Sequence, residues 1–160
     1  MSTKKVATFG VLVALAFIFS YIESLIPFYF GVPGMKLGLA NIVVLTALYK
    51  LGVKEAYSLC IVRIILVGFT FGNLYSLLYS IAGGLLSCTA MVLLKMTKKF
   101  SQIGVSAVGG IMHNVGQITV AMIVLETSAL IYYLPALLIS GVLTGALIGV
   151  AGGEIIKRLR

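Results

Sequence analysis

Two cations stand where an apolar chain has least use for them. Arg63 lies inside "LCIVRIILVG" and Lys36 inside "VPGMKLGLANIVV". The four acidic residues of the chain are all glutamates, and the nearest to Lys36 in sequence are Glu23 and Glu55. A cation in such a setting can hold the anionic part of a solute, with Asn41 or Asn73 adding a hydrogen bond. Ordinary roles compete with that reading. Lys36 can meet lipid phosphates, and Arg63 can reach the outer interface, cap carbonyls of a neighbouring helix, or be neutralised structurally by Glu23 or Glu126 near the outer ends of their spans. Both asparagines suit helix starts.

A second constellation lies in "SQIGVSAVGGIMHNVGQITV". Gln102, Ser106, Gly110, His113 and Gln117 recur at spacings of four, four, three and four, which is one face of a helix. Asn114 lies beside that face. Amides and an imidazole avoid lipid, so the stripe faces the bundle interior or a cavity. For His113, Asn114 and Gln117, an interhelical hydrogen-bond network and solute binding both remain open.

Several chemistries are excluded. The chain has one histidine and no aspartate, which leaves no metal cluster and no Ser/His/Asp set. No paired carboxylates are placed for acid–base work, and no G-x-x-x-x-G-K-[ST] cradle exists for ATP. We therefore expect no catalytic residues, no metal, no cofactor and no enzymatic activity. Any driving energy must come from partners or a gradient.

The elements that position these residues follow from composition. Hydrophobic residues make up 61% of the 160 positions and charged residues 10%, well below the quarter or so typical of soluble domains. A bilayer is the better solvent, and residues 1–160 suit a single integral membrane domain. The net charge of +8 does not point to nucleic acid, because the cations sort by position. Cys60 and Cys88 lie within apolar runs and read as small buried side chains.

Six apolar segments are expected: about 6–27, 37–49, 56–71, 74–94, 103–125 and 130–156. The second is short for a crossing unless the loop before it contributes. That loop carries Pro27, Gly31, Pro33 and Gly34. With the N-terminus inside and six crossings, Lys4, Lys5, Lys50, Lys54, Lys95, Lys98, Lys99, Lys157, Arg158 and Arg160 all fall on the cytoplasmic side. Only Lys36 and Arg63 escape that sorting. Arg63 lies ~13 Å along its span from Lys54, close to mid-bilayer, where insertion costs ~2.5–3.5 kcal/mol. The fold class is therefore an all-α, six-transmembrane-helix bundle with both termini cytoplasmic. Small-residue faces recur at Gly141, Gly145 and Gly149, at Ser76, Ser80, Gly83, Ser87 and Ala90, and at Gly10 and Ala14. The first two suit packing within the bundle, and the third can also meet another subunit.

The whole chain resembles the membrane-embedded substrate-binding (S) components of energy-coupling factor transporters. The resemblance is carried by "VATFGVLVALAFIFSYIESLIPF", "GMKLGLANIVVLTALY" and "SLCIVRIILVGFTFGNLYS". More closely, these stretches are similar to the Gx transporter family, also labelled heptaprenyl diphosphate synthase component I. The resemblance implies a multi-pass protein of the bacterial cytoplasmic membrane. Such a protein binds a small vitamin-like or cofactor-precursor solute at its outer side, partly covered by the first loop. It implies docking of the first helix onto a transmembrane scaffold subunit driven by two ATPase subunits. The family's A-x-x-x-A docking motif maps onto Gly10 and Ala14, with Ala7 just ahead of them. Prenyl diphosphate synthases carry D-D-x-x-D motifs that hold magnesium, and this chain has no aspartate. The synthase label then points to an alternative, a non-catalytic membrane component of prenylquinone synthesis. On the transport reading, Lys36, Asn41, Arg63, Asn73, His113, Asn114 and Gln117 are the candidate solute-binding residues. Tyr75, Tyr79, Phe28 and Tyr29 could face a planar ring.

The cation sorting makes a direct prediction. In a background lacking Cys60 and Cys88, a cysteine at position 128 should react with an impermeant thiol reagent on intact cells. A cysteine at position 98 should not, and its labelling would overturn the orientation.

Overall fold

The computed structural model describes residues 3–25, 36 and 38–158. The loop residues Pro27, Phe28, Tyr29, Gly31, Pro33 and Gly34, and Arg160 at the end, lie outside the described residues. Within them the chain forms six α-helices: α1 (Thr3–Leu25), α2 (Asn41–Lys50), α3 (Val53–Thr70), α4 (Leu74–Thr97), α5 (Gln102–Val124) and α6 (Leu134–Arg158). A short 3₁₀ turn, Ala129–Tyr133, precedes α6. The segments read from hydropathy correspond to these helices, with ends shifted by a few residues.

Four stretches are long and apolar enough to cross a membrane: α1, α4, α5 and the run Ala129–Arg158 that contains α6. Their lipid-compatible surfaces are plain. Val11, Ile18, Phe69, Leu93, Ile123, Leu143 and Leu147 are all large, apolar and exposed. α3 has 18 residues and carries Lys54, Glu55 and Arg63.

α2 is different in kind. Its 10 residues rise only about 15 Å. Every residue from Asn41 to Leu48 is buried, and the helix packs against α1, α3, α4 and α6. A helix apolar on all sides belongs in a core, and Val44, Leu45, Leu48, Leu59 and Met91 form that core with it. α2 begins without a side-chain cap. The turn before it is closed instead by backbone bonds from Asn41 N to Gly38 O and from Ile42 N to Leu39 O.

Polar contacts gather alternate helix ends together. Lys5 forms an ion pair with Glu55, which joins the starts of α1 and α3. Lys95 Nζ donates to the Leu48 carbonyl at 2.6 Å and lies 4.7 Å from the Tyr49 ring centroid, joining the ends of α2 and α4. The Gln102 side chain lies beside Gly153, joining the start of α5 to the end of α6. Ser101 and Asn73 cap α5 and α4 by accepting from Gly104 N and Ser76 N.

The tightest seams use glycine. Gly141, Gly145 and Gly149 of α6 meet the backbone of α5 at Gly110, Ala107 and Ile103, the packing expected from their spacing. Gly116 of α5 meets Ala82 and Gly83 of α4. The first-helix glycine behaves otherwise. A Cβ at Gly10 would meet nothing within 4 Å, and Ala7, Gly10 and Ala14 are all exposed.

Substitutions should separate these two kinds of glycine. A Cβ at Gly116 would stand 2.7 Å from the Ala82 carbonyl oxygen, and one at Gly145 would stand 2.6 Å from the Ser106 carbonyl oxygen. Gly116→Ala and Gly145→Ala should each cost about 1–3 kcal/mol, because a helix backbone must move. Gly10→Ala should be neutral or mildly stabilising. Thermal unfolding of the three variants in one detergent checks this order.

Candidate functional site

The polar stripe of α5 meets the turn that leads into α2. Gln117 is 1% exposed, and its amide grips the backbone of Lys36 from both sides. Lys36 N donates to Gln117 Oε1 at 2.9 Å, and Gln117 Nε2 donates to Lys36 O at 3.1 Å. This fixes the amide's orientation. The same Nε2 faces His113 Nε2, which must therefore act as the acceptor. His113, 2% exposed, is then a neutral imidazole with its proton on Nδ1. That proton lacks a well-formed bond: the Gly83 carbonyl is close without meeting hydrogen-bond geometry.

Glu23, near the end of α1, holds the next residues of the turn. Its Oε1 accepts from Gly38 N and from Leu39 N. Gly38 has φ +86°, a left-handed conformation that favours glycine. It also lies against the ring edge of His113 and the amide of Asn41, where a Cβ would stand 3.0 Å from each. Asn41 reaches across to α4, donating from Nδ2 to Ser87 Oγ at 3.3 Å. Three helices thus clasp one turn through Glu23, Asn41, His113 and Gln117.

Arg63 stands beside this cluster and is 5% exposed. Neither Nε nor Nη2 has a hydrogen-bond partner among the described residues. Nη2 lies 3.5 Å from the position a Cβ would take on Gly84, and Cys60 Sγ borders the same spot. Its charge is within electrostatic reach of Glu23, Lys36 and His113, yet it makes no ion pair with Glu23. Lys36 is half-buried.

The remaining candidates sort differently. Asn114 Nδ2 donates to the Leu137 carbonyl at 2.7 Å, so its amide ties α5 to α6. Asn73 is exposed and serves as the α4 cap. Tyr79 is buried, whereas Tyr75 is exposed. Lys36, Asn41, His113 and Gln117 come together, with Arg63 at their side. Glu23 and Ser87 join them; the sequence offers Glu23 only as a possible acidic partner of Arg63 and Ser87 only on a small-residue packing face. One signal for Glu23 existed: an acid inside an apolar span is costly enough to need a purpose.

An all-helical chain with lipid-compatible helices and a charged interior cluster is a membrane protein whose polar chemistry is concentrated inside the bundle. More narrowly, it belongs to a known family: a model described as heptaprenyl diphosphate synthase component I matches residues 12–155. No curated protein and no solved structure matches the chain.

The Gln117 clasp predicts a local loosening. Gln117→Leu removes both bonds to Lys36, so the Lys36 amide should exchange with solvent faster by the equivalent of about 1–3 kcal/mol. Gln117→Glu keeps the acceptor and should lie between. Hydrogen exchange resolved at Lys36 and Gly38 checks this, with core amides of α2 as the reference.

Proposed function

We propose that the protein is a membrane-embedded solute-binding subunit, with Arg63 and Lys36 receiving the anionic part of a small solute beneath the turn at residues 36–40. The observation that carries this reading is the buried guanidinium edge of Arg63, left without a partner among the described residues inside an apolar bundle. An unpaired buried cation is costly, and a bound anion would offset that cost. The clasp by Glu23 and Gln117 sets the backbone of Lys36 beside the same cluster. That is the position required of a cover that closes over solute. Asn41 and His113 would line the site, and Asn114 and Asn73 would support it from their helix contacts.

On this reading the chain crosses the membrane six times with both ends cytoplasmic, with α2 and the turn before it together making the second crossing. The exposed face of Ala7, Gly10 and Ala14 would dock on a transmembrane scaffold carrying two ATPase subunits. A groove of about 290 Å³ between α1 and α6, lined by Ala7, Val11 and Ile155 among others, adjoins that face. The bundle would serve uptake across a bacterial cytoplasmic membrane as one domain.

A second reading rests on the family description, which names one component of a synthase. The chain would then be the non-catalytic membrane partner of a soluble prenyl-diphosphate enzyme. Co-purification separates the two: a membrane scaffold with ATPases supports transport, and a soluble prenyltransferase supports the synthase role.

Native mass spectrometry of gently purified protein should find a small anionic solute, and Arg63→Ala should weaken its binding by about 1.5–3 kcal/mol. A well-folded Arg63→Ala protein with undiminished binding would return Arg63 to a structural role. Leucine at Gly10 and Ala14 together should abolish scaffold association while leaving solute binding intact.

A further inference from the structure

The two orphaned nitrogens of Arg63 are not an arbitrary pair. Nε–H and the outward Nη2–H lie on one edge of the guanidinium and point in parallel, the fork that accepts a planar carboxylate by two hydrogen bonds. Both atoms of this edge are buried and unpartnered among the described residues. A side chain held for packing alone would spend these donors on carbonyls of neighbouring helices, because each unmade bond in a water-poor interior costs free energy.

The charge around the fork restricts what can occupy it. Arg63 and Lys36 are the cations in mutual electrostatic reach, and Glu23 is the carboxylate facing both. His113 contributes no charge, since the orientation of Gln117 leaves its Nε2 as an acceptor. Counted with Arg63, Lys36 and Glu23 all ionised, the cluster carries one excess positive charge. A single negative charge neutralises it. A diphosphate, carrying two or more, would leave the interior negative beside Glu23, which has no room to retreat while it holds Gly38 and Leu39.

We propose that the Nε/Nη2 edge of Arg63 is a bidentate fork for a singly charged planar carboxylate, and that the site excludes diphosphates. This rests on the solute-binding reading and names its substrate class. It also separates the bundle's own ligand from any prenyl diphosphate handled by a partner.

Acetate and benzoate are suitable probes, since acetate needs no pocket beyond the fork itself. The full chain, purified in detergent with its arginine nitrogens labelled, would be titrated at constant ionic strength while the Arg63 Nε–H resonance is followed. Both carboxylates should shift that resonance saturably, and inorganic pyrophosphate should not. In Arg63→Lys, which keeps the charge and loses the fork, benzoate binding followed by calorimetry should weaken about tenfold or more. Circular dichroism would confirm that this variant is folded. Saturable pyrophosphate binding at Arg63, as strong as that of benzoate, would overturn the carboxylate assignment and leave the anion-binding reading standing. Benzoate affinity unchanged in Arg63→Lys would remove the fork while keeping a point-charge site. No shift with any of the three anions would overturn the fork outright. The solute-binding reading would then be judged separately, by whether native mass spectrometry of the untreated protein finds a bound solute.

Discussion

A backbone that leaves helical geometry inside a bilayer must find protein partners for its polar groups, since lipid offers none. The same need for protein partners is met at the turn before α2. α2 is too short to cross alone, so its N-terminal end lies among the other helices and the turn feeding it is drawn inward. Lys36, Gly38 and Leu39 therefore present backbone groups to side chains of α1 and α5. Glu23 satisfies two of their N–H groups and Gln117 satisfies both backbone groups of Lys36. Each clasping side chain needs its own support. Gln117 takes it from His113, which sits against Gly83, while Gly83 and Gly116 let α4 and α5 approach closely enough to set that geometry. The glycine seams and the polar stripe are two parts of one arrangement.

That arrangement explains which features sequence could reveal. Long apolar runs and their spacing are local properties, so the helices followed from hydropathy. The α5 stripe followed from periodicity, and the α6 glycine ladder from its four-residue repeat. The short second segment was visible as an anomaly. Its complete burial was not, because an apolar run reads alike whether lipid or protein surrounds it. Partner identity was the least accessible quantity. Gln117 and Lys36 are 81 residues apart, and Asn41 and Ser87 are 46 apart. No local pattern encodes such pairs. Asn73 shows the converse: its cap role was available from its position just before an apolar run, and that is the role it takes.

The glycines of the small-residue faces look alike in sequence and differ in space. Those of α5 and α6 are consumed by neighbouring backbones, so their smallness is already used. Gly10, with Ala7 and Ala14, presents the same smallness outward. Close helix approach is a large part of what drives association within a bilayer, where burying apolar surface against another helix gains little over burying it in lipid. An exposed small-residue face is thus a reserve of contact energy that the monomer leaves unspent. The rest of the exposed α1 surface, from Val11 to Leu25, is bulky and suits lipid.

The absence of aspartate bears on how the family's description should be understood. Magnesium that serves chemistry on phosphates is usually held by one or two carboxylates free to bind it. Of the four glutamates, Glu55 is paired with Lys5 and Glu154 with Lys157. Glu23 is committed to the turn before α2, and Glu126 follows α5 with φ +50°. They are distributed among different helices and ends rather than gathered, and no group of His, Cys or Glu among the described residues could hold a metal. The interior instead concentrates positive charge around one restrained carboxylate. On the solute-binding proposal, electrostatics of that sign would suit holding an anion, with Glu23 competing for the same cations. An anion that drew on Arg63 and Lys36 would change the field at Glu23, and through Glu23 the hold on Gly38 and Leu39.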